Sequence, residues 1–166
     1  MSGRTSKKHA GKAAPPAKAA LNYGLLSDLI GYNLRRAQAI VFDDFIRSMA
    51  DSRVTPGQFG VLTMIRANPG ISQSALARAI GTERSSMVAV LDQLEARGLA
   101  ERGAAQHDRR SHALRLTSQG EALLRALEPQ VRQHEQRIAG DLNKSEVRRL
   151  IALLRRLGKA PKTSGG

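Results

Sequence analysis

Helix start and stop signals recur at short intervals between residues 53 and 99, and their spacing restricts the possible folds more than any other feature. The run Thr55-Pro56-Gly57-Gln58 offers an N-cap threonine, a proline at the first helical position and a glutamine three residues after the cap. Together these features form a capping box, which predicts that a helix starts there. The run Asn68-Pro69-Gly70 predicts its end. This part of the chain is therefore divided into short helices.

The next two helices are predicted to meet at a single glycine. Ser72 is placed as the N-cap of the first helix and Gly81 as the residue that closes it. Thr82 is then expected to cap a second helix from Glu83 to Arg97, which Gly98 ends. Apolar residues at helical spacing give both helices an inward face: Leu76, Ala77, Ile80, Met87, Val90, Leu91 and Leu94. Two short helices with so short a connection predict a helix-turn-helix.

The apolar period changes after Gly98. Leu99 to Arg102 and Ala113 to Leu116 are predicted to be two short strands, joined by the polar loop 103–111. A helix-turn-helix followed by a hairpin predicts a winged helix-turn-helix, a mainly α-helical fold with a small β-hairpin wing. In such a fold the second helix enters the major groove of DNA, and the wing lies over the adjoining backbone or minor groove.

Long apolar stripes flank this predicted DNA-binding lobe, which spans residues 53–117. Residues 21–52 are expected to form a helix with apolar positions every three or four residues, over about 40 Å at 1.5 Å per residue. Residues 118–157 are predicted to form two helices, the first capped by Thr117 and kinked at Pro129 and the second with a capping-type start at Asn143-Lys-Ser-Glu146. One small domain cannot cover all these faces, so 21–52 and 118–157 are predicted to be dimerisation helices.

The charge balance indicates a polyanionic partner. The 166 residues contain 27 Lys and Arg against 14 Asp and Glu, a formal net charge of +13. Residues 1–20 carry five basic residues and no acidic one, which predicts a disordered basic tail, and residues 158–166 are expected to be a flexible tail. Residues 21–157 still hold 20 basic and 14 acidic residues. The folded part is therefore itself basic, as expected for a protein that binds nucleic acid.

Several classes of protein are excluded or disfavoured by the residues that the sequence lacks. There is no cysteine, so disulfides, zinc fingers, iron–sulfur clusters and thiol-based sensing are ruled out. Four scattered histidines give no metal-ligand spacing, and no apolar stretch is long enough to span a membrane. No nucleophile–base pair, paired carboxylates or glycine-rich phosphate loop is found. We therefore expect neither an enzyme nor a resident cofactor.

The predicted wing carries a motif that identifies a family. Asp108-x-Arg110, followed by Leu116-Thr117 and Gly120 and preceded by the run Leu94 to Leu99, resembles the signature of the MarR family of bacterial transcription regulators. The resemblance covers residues 25–157, and the order of the predicted elements matches. It implies a homodimer with interleaved first and last helices, a palindromic operator in double-stranded DNA, usually repression, and usually release by a small ligand.

Candidate DNA-binding residues come from the second helix and the wing. The exposed positions of that helix carry short or hydrogen-bonding side chains, which close approach to bases and phosphates requires. The resemblance implies that Arg110 enters the minor groove and that Asp108 fixes the wing, with Arg109 as a further contact. The alternatives are a solvated helix start and an Asp108–arginine salt bridge that only shapes the loop. The full predicted set is Ser72, Thr82, Arg84, Ser85, Ser86, Ala89, Asp108, Arg109 and Arg110.

The segment 31–38 is similar to regulators of aromatic-acid catabolism within the family, several of which answer to hydroxycinnamoyl-CoA thioesters. The resemblance implies an effector pocket for a phenolic acid or such a thioester. Tyr32 and Arg36 lie four residues apart on one helical face, where they could also be an interface residue and an interface ion-pair partner. The predicted effector-binding residues are Tyr32, Asn33, Arg36, Ile40, Phe59 and Met64.

These inferences predict a ligand-responsive homodimeric regulator, most simply a repressor, located in the cytoplasm with the bacterial nucleoid. The rival hypothesis is an architectural DNA-binding protein that needs no ligand, because it would share the basic tail and the wing. A steep sequence preference and release by a ligand separate the two. A protein of the membrane surface is a weaker third, because a dimer core explains the apolar faces better.

Overall fold

A computed structural model describes residues 21–104 and 112–158 of the chain. Two short 3-10 helices, Gly24–Asp28 and Ala50–Ser52, accompany the regular elements. The regular elements follow one another in this order: α1 (Ile30–Ser48), α2 (Pro56–Ala67), β1 (Ile71–Ser72), α3 (Gln73–Ile80), α4 (Arg84–Ala96), β2 (Ala100–Ala104), β3 (His112–Leu116), α5 (Ser118–Ala139) and α6 (Lys144–Leu154). The chain divides into two compact units between Arg35 and Arg36, inside α1.

The predicted caps of α2 and α3 are confirmed. At α2, the Thr55 hydroxyl accepts from the Gln58 backbone N–H at 3.2 Å, and the Gln58 side chain accepts from the Thr55 N–H at 3.2 Å. At α3, the Ser72 hydroxyl accepts from the Ala75 N–H at 3.3 Å. Gly81 ends α3 with φ of +75°, a left-handed conformation that glycine adopts without steric cost.

The predicted cap of α4 is wrong. The helix begins at Arg84, and its N-cap is Glu83, which makes no side-chain capping hydrogen bond. Thr82 instead belongs to the end of α3, because its backbone N–H donates to the Ala77 carbonyl at 3.1 Å beside the bond from Gly81. Two residues, Thr82 and Glu83, separate Gly81 from the start of α4. Thr82 therefore lies in the closing turn of α3, and Glu83 takes the N-cap position of α4.

The hairpin is part of a three-stranded antiparallel sheet with strand order β1-β3-β2. β2 and β3 pair with Arg102 opposite Leu114, and β1 adds the pair Ile71 opposite Leu114 on the other edge of β3. The two predicted strands are confirmed with boundaries shifted by one or two residues. β1 was not predicted, because two residues are too few to show an alternating pattern.

One apolar core holds the helix-turn-helix, α2, the sheet and the start of α5 together. Leu62, Ile65, Leu76, Leu91 and Leu94 at its centre have no exposed surface. Ile80, predicted to face inward, is instead 37% exposed at the last residue of α3. A second cluster joins α1 to α5 and is formed by Phe45, Met49, Val54 and Leu127.

Gly120 sets the distance between α5 and the hairpin. A Cβ atom at this position would lie 2.0 Å from the Leu99 carbonyl oxygen, so only glycine fits. The predicted cap beside it is confirmed: the Thr117 hydroxyl accepts from the Gly120 N–H at 3.1 Å and donates to the Gly98 carbonyl at 2.6 Å. The start of α5 is thereby locked to the residues that enter β2.

The flanking helices differ from the prediction in detail. The helix expected from residue 21 is interrupted, with a 3-10 turn at Gly24–Asp28 and a start of α1 at Ile30. α5 is one helix that continues past Pro129, and the kink at this residue stays a prediction. Asn143 caps α6 in a capping box, as predicted. In the described part of the chain, no helix has the length and hydropathy of a membrane span.

Candidate nucleic-acid interface

α4 has one buried face and one exposed face, as a recognition helix must. Met87, Leu91 and Leu94 point into the core and are 1% exposed or less. The contact residues predicted within α4 all lie on its exposed side: Arg84, Ser85, Ser86 and Ala89. Thr82 is half-buried before the helix start. The small side chains leave room for close approach of a DNA groove to the first half of α4.

Polar contacts fix the C-terminal half of α4 to α2 and to the connection that precedes it. The Arg97 guanidinium donates to the Arg53 and Ser52 carbonyls, both at 2.8 Å. The Gln58 side-chain amide donates to the Gln93 side-chain oxygen at 3.0 Å. Arg53 itself has φ of +52°, which is uncommon for a residue other than glycine. These anchors hold the orientation of α4 against the rest of the lobe.

The base of the wing is joined to α4 by one arginine. Arg102 of β2 places its guanidinium between two carboxylates of α4, donating to Asp92 at 2.8 Å and to Glu95. Sequence reasoning missed this contact, because it joins a strand to a helix. The available signals were the spacing of the two acids at i and i+3 on one helix and the strand arginine that follows.

The wing-tip residues Asp108, Arg109 and Arg110 lie outside the described residues, so their roles stay predictions. Ser72 is described, and its hydroxyl is engaged as the N-cap of α3. Its backbone belongs to β1, opposite Ala113. Ser72 therefore has a structural role that accounts for its presence, and a contact with DNA remains a prediction.

Two predicted effector residues lie in the N-terminal unit. The Asn33 side-chain amide donates to the Ser27 and Leu29 carbonyls at 2.8 and 2.9 Å, which closes the 3-10 turn before α1. The ring of Tyr32 lies 6.1 Å from that of Tyr23, in a tilted arrangement, and its side chain is half-buried. Asn33 thus has a local structural role.

The other predicted effector residues lie in the C-terminal unit and differ in exposure. Arg36 and Ile40 are exposed, Ile40 at 63%. Phe59 and Met64 are half-buried and pack against the core, and the Phe59 ring lies 5.8 Å from that of Phe45. The structure therefore brings Phe59 and Met64 into the packing of the lobe and leaves Ile40 uncovered.

A buried polar cluster between α1 and α5 is a feature that sequence reasoning missed. His134 is 2% exposed, and its Nδ1 lies 2.7 Å from a carboxylate oxygen of Asp44. Arg137 donates to the same carboxylate at 3.1 Å, and Phe45 meets the His134 ring edge-on at 5.3 Å. The hydrogen bonds from Arg137 and then His134 lower the pKa of Asp44 to about 2.

An open polar hollow lies beside this cluster and contains none of the predicted effector residues. It is lined by Arg47, Ser48, Asp51, Gln130, Gln133 and Arg137. Across 21–104 and 112–158, no group of three or more histidine, aspartate or glutamate side chains could hold a metal ion.

Comparison with known proteins places this architecture. The model of the MarR family matches residues 54–111. A Thauera aromatica protein named as a regulator of the hcr operon is 41% identical over 152 residues, which are 91% of this chain and 92% of that protein. The structure of the repressor CouR on a 23-mer DNA duplex is 41% identical, with a TM-score of 0.80 over 85% of this chain and all of that one. CouR bound to p-coumaroyl-CoA is 39% identical, with a TM-score of 0.77 over 86% of this chain and all of that one. The fold is the winged helix-turn-helix, and the chain belongs to the MarR family of transcription regulators.

Proposed function

We propose that this chain is a homodimeric repressor that binds a palindromic operator and is released by an aromatic acid or its CoA thioester. The observation that carries the proposal is the exposed first half of α4 beside the β2–β3 hairpin, in a chain 41% identical to CouR on a DNA duplex. The cytoplasm, where the bacterial DNA lies, is the site of action that follows from this proposal.

The geometry of α4 supports reading of the major groove. Ser85 and Ala89 project from the side opposite the buried Met87 and Leu91, and Arg84 stands at the helix start. Arginine suits the acceptor edge of guanine or a phosphate, whereas serine and alanine allow the helix backbone to come close to the bases. In the wing, Arg110 is proposed to enter the minor groove and Arg109 to contact a phosphate or the groove, while Asp108 fixes the wing.

Apolar side chains that remain exposed in the protomer support a dimer. On α6, Leu150, Ile151 and Leu154 are all more than 40% exposed. In the N-terminal unit, Leu25 and Ile30 are more exposed still. A second copy related by a two-fold axis would cover such faces and place two α4 helices about 34 Å apart, one turn of DNA.

An acyl-CoA effector fits the charge of the chain. The phosphates of CoA are anionic, and the protein has a formal net charge of +13. CouR, to which this chain is similar, has been seen with p-coumaroyl-CoA. We infer that the aromatic acyl group binds near Tyr32, Asn33, Arg36, Ile40, Phe59 and Met64, while the CoA phosphates compete with DNA for basic surface. Derepression would then be partly electrostatic.

Fluorescence anisotropy tests the proposal. The full chain is titrated onto a labelled duplex from upstream of its own gene and onto a scrambled duplex, at one fixed salt concentration, because phosphate contacts make affinity depend on salt. p-Coumaroyl-CoA is then added, with free p-coumaric acid and plain CoA as controls. We expect at least about 1,000-fold preference for the operator and release by the thioester.

The outcomes separate the hypotheses. Release by the thioester alone supports an electrostatic contribution from CoA, whereas equal release by the free acid contradicts it. Operator binding without release by any of the three compounds supports the repressor hypothesis and contradicts the proposed class of ligand. Equal affinity for the scrambled duplex favours the architectural DNA-binding protein instead.

A wing variant tests the DNA contacts separately. Arg110→Ala is expected to abolish specific operator binding while the protein remains a folded dimer by circular dichroism and sedimentation. The reason is that an arginine in the minor groove contributes both charge and sequence preference. Unchanged operator affinity in this variant would contradict the assigned role of Arg110.

A further inference from the structure

We propose that Arg102 is a positioning residue for DNA binding, because it masks the carboxylates of Asp92 and Glu95 on α4 from the DNA phosphates. This inference rests on the proposed function of α4 as the recognition helix. It assigns Arg102 a role without direct contact to DNA, and it explains how a helix with two acidic residues in its second half can approach a polyanion.

The helix α4 carries more acidic than basic side chains, which opposes its approach to DNA. Between Arg84 and Ala96 the helix has one basic residue, Arg84, and two acidic ones, Asp92 and Glu95. Asp92 follows Ser85 and Ala89 at helical spacing and therefore lies on the same exposed face. Its side chain is 58% exposed. Without a partner, this carboxylate would repel the backbone of any DNA that α4 enters.

The guanidinium of Arg102 is the partner of both carboxylates. Its guanidinium donates from one terminal nitrogen to Glu95 and from the other to Asp92 at 2.8 Å, so one cation serves two anions. The Arg102 side chain is only 21% exposed, which leaves little of it for a phosphate. A planar guanidinium can satisfy two carboxylates at once, which a lysine ammonium does with poorer geometry.

The position of Arg102 in the sheet fixes where its side chain meets α4. Arg102 pairs with Leu114 across the hairpin, and Leu114 is buried in the core of the lobe. The arginine therefore reaches α4 from a strand whose register is tied to the strand that carries this core residue. We expect the same contact to hold the base of the wing against the recognition helix.

A double-mutant cycle tests the masking. In the full chain, Arg102→Gln is compared with the pair Asp92→Asn and Glu95→Gln and with the triple variant, by anisotropy on the duplex that wild type prefers. We expect Arg102→Gln to weaken operator affinity about tenfold, and the triple variant to return to within about threefold of wild type. The pair alone should bind at least as tightly as wild type.

Arg115→Gln is the matched control. Arg115 lies on the neighbouring strand, opposite Glu101, and its substitution removes the same charge from the same hairpin. We expect it to weaken affinity less than about threefold. The deficit of Arg102→Gln relative to wild type should also shrink as salt is raised, because repulsion is screened, whereas a purely structural defect would persist.

Each outcome supports or contradicts the masking of the two carboxylates by Arg102. A deficit of Arg102→Gln no larger than that of Arg115→Gln overturns the inference, and so does a triple variant as weak as Arg102→Gln. If Arg102→Gln does not fold, the acid-to-amide pair still tests the masking, and weaker binding by that pair contradicts it. A wild type that shows no operator preference refutes the proposed function instead, so the two failures are distinguishable.

Discussion

The helices α4 and α6 both have an apolar face, but only α4 covers that face within its own chain. Met87, Leu91 and Leu94 of α4 are buried, whereas none of the residues of α6 is. Leu150 and Leu154 of α6 lie at the same helical spacing and remain more than 40% exposed. Periodicity thus identifies an apolar face equally well in both helices, and the surroundings decide whether it becomes the core of one chain or a surface for a second.

This difference predicts that the effects of substitutions on α6 depend on protein concentration, whereas those of substitutions around α4 do not. Substitutions in the lobe around α4 should change the stability of each chain by a fixed amount. Substitutions on α6 should change the association of chains.

Gly120→Ala is expected to destabilise the lobe most. The added Cβ would lie 2.0 Å from the Leu99 carbonyl oxygen, so α5 must move away from the hairpin. We expect a loss of more than about 3 kcal/mol in the free energy of unfolding, measured by urea denaturation. Gly60→Ala is the control, because a Cβ there meets nothing within 4 Å and alanine favours the helix interior of α2. A stable Gly120→Ala protein would contradict the packing at this contact.

Leu94→Ala should cost about 3 kcal/mol of unfolding free energy, because the side chain is completely buried and its removal leaves a cavity. The cost should be the same at two protein concentrations tenfold apart. Val88→Ala on the same helix is 37% exposed and should cost less than about 1 kcal/mol. Equal losses of unfolding free energy at the two positions would contradict the described burial of Leu94 and exposure of Val88.

Leu154→Glu should weaken dimerisation about a hundredfold, because it places a carboxylate in the apolar stripe of α6. Sedimentation velocity over a concentration series measures the effect. Ala152→Glu adds the same residue on the opposite side of the helix and should change the dissociation constant less than about threefold. Equal effects would show that the stripe of α6 is not part of the interface.

Asp44→Asn should have the smallest effect, and the effect should depend on pH. The pKa of Asp44 is lowered from 3.8 to about 2 in the folded chain, so its ionised form stabilises the fold above about pH 4. This contribution is lost as pH falls towards 2, because the unfolded chain takes up the proton first. The stability difference between wild type and Asp44→Asn should therefore disappear across this window, measured by urea denaturation at each pH.

Asp43→Asn is the control for that titration. Asp43 lies next to Asp44 on α1, but it pairs with Arg47 at the surface, where an ion pair contributes little. The Asp43→Asn protein should follow the wild-type dependence on pH. A constant difference between wild type and Asp44→Asn over the whole range would contradict the assigned role of the carboxylate.

Local signals in the sequence predicted most of the fold. Thr55, Ser72, Thr117 and Asn143 all cap helices as predicted, because a cap depends on one side chain and the backbone within three residues of it. The prediction failed for Thr82, where the closing turn of α3 took its backbone N–H. It also failed for β1, whose pairing depends on a strand more than 40 residues away.

The candidate site was predicted in part, for the same reason. The exposed face of α4 follows from the periodicity of its buried residues, so Arg84, Ser85 and Ala89 could be found. The contact of Arg102 with α4 and the pairing of His134 with Asp44 could not. Both join residues on different elements, and a single sequence has no signal for which of its many charges meet in space.

The pairing of β1 with β3 also has a consequence for synthesis on the ribosome. Ile71 lies before the helix-turn-helix, whereas its partner, Leu114, lies in the second strand of the hairpin. A nascent chain that ends before β3 would therefore hold both helices without the strand that closes the sheet around their core. We expect the two helices to become resistant to protease only once β3 has left the exit tunnel. The winged lobe would then be acquired in a single late step, instead of helix by helix as it emerges.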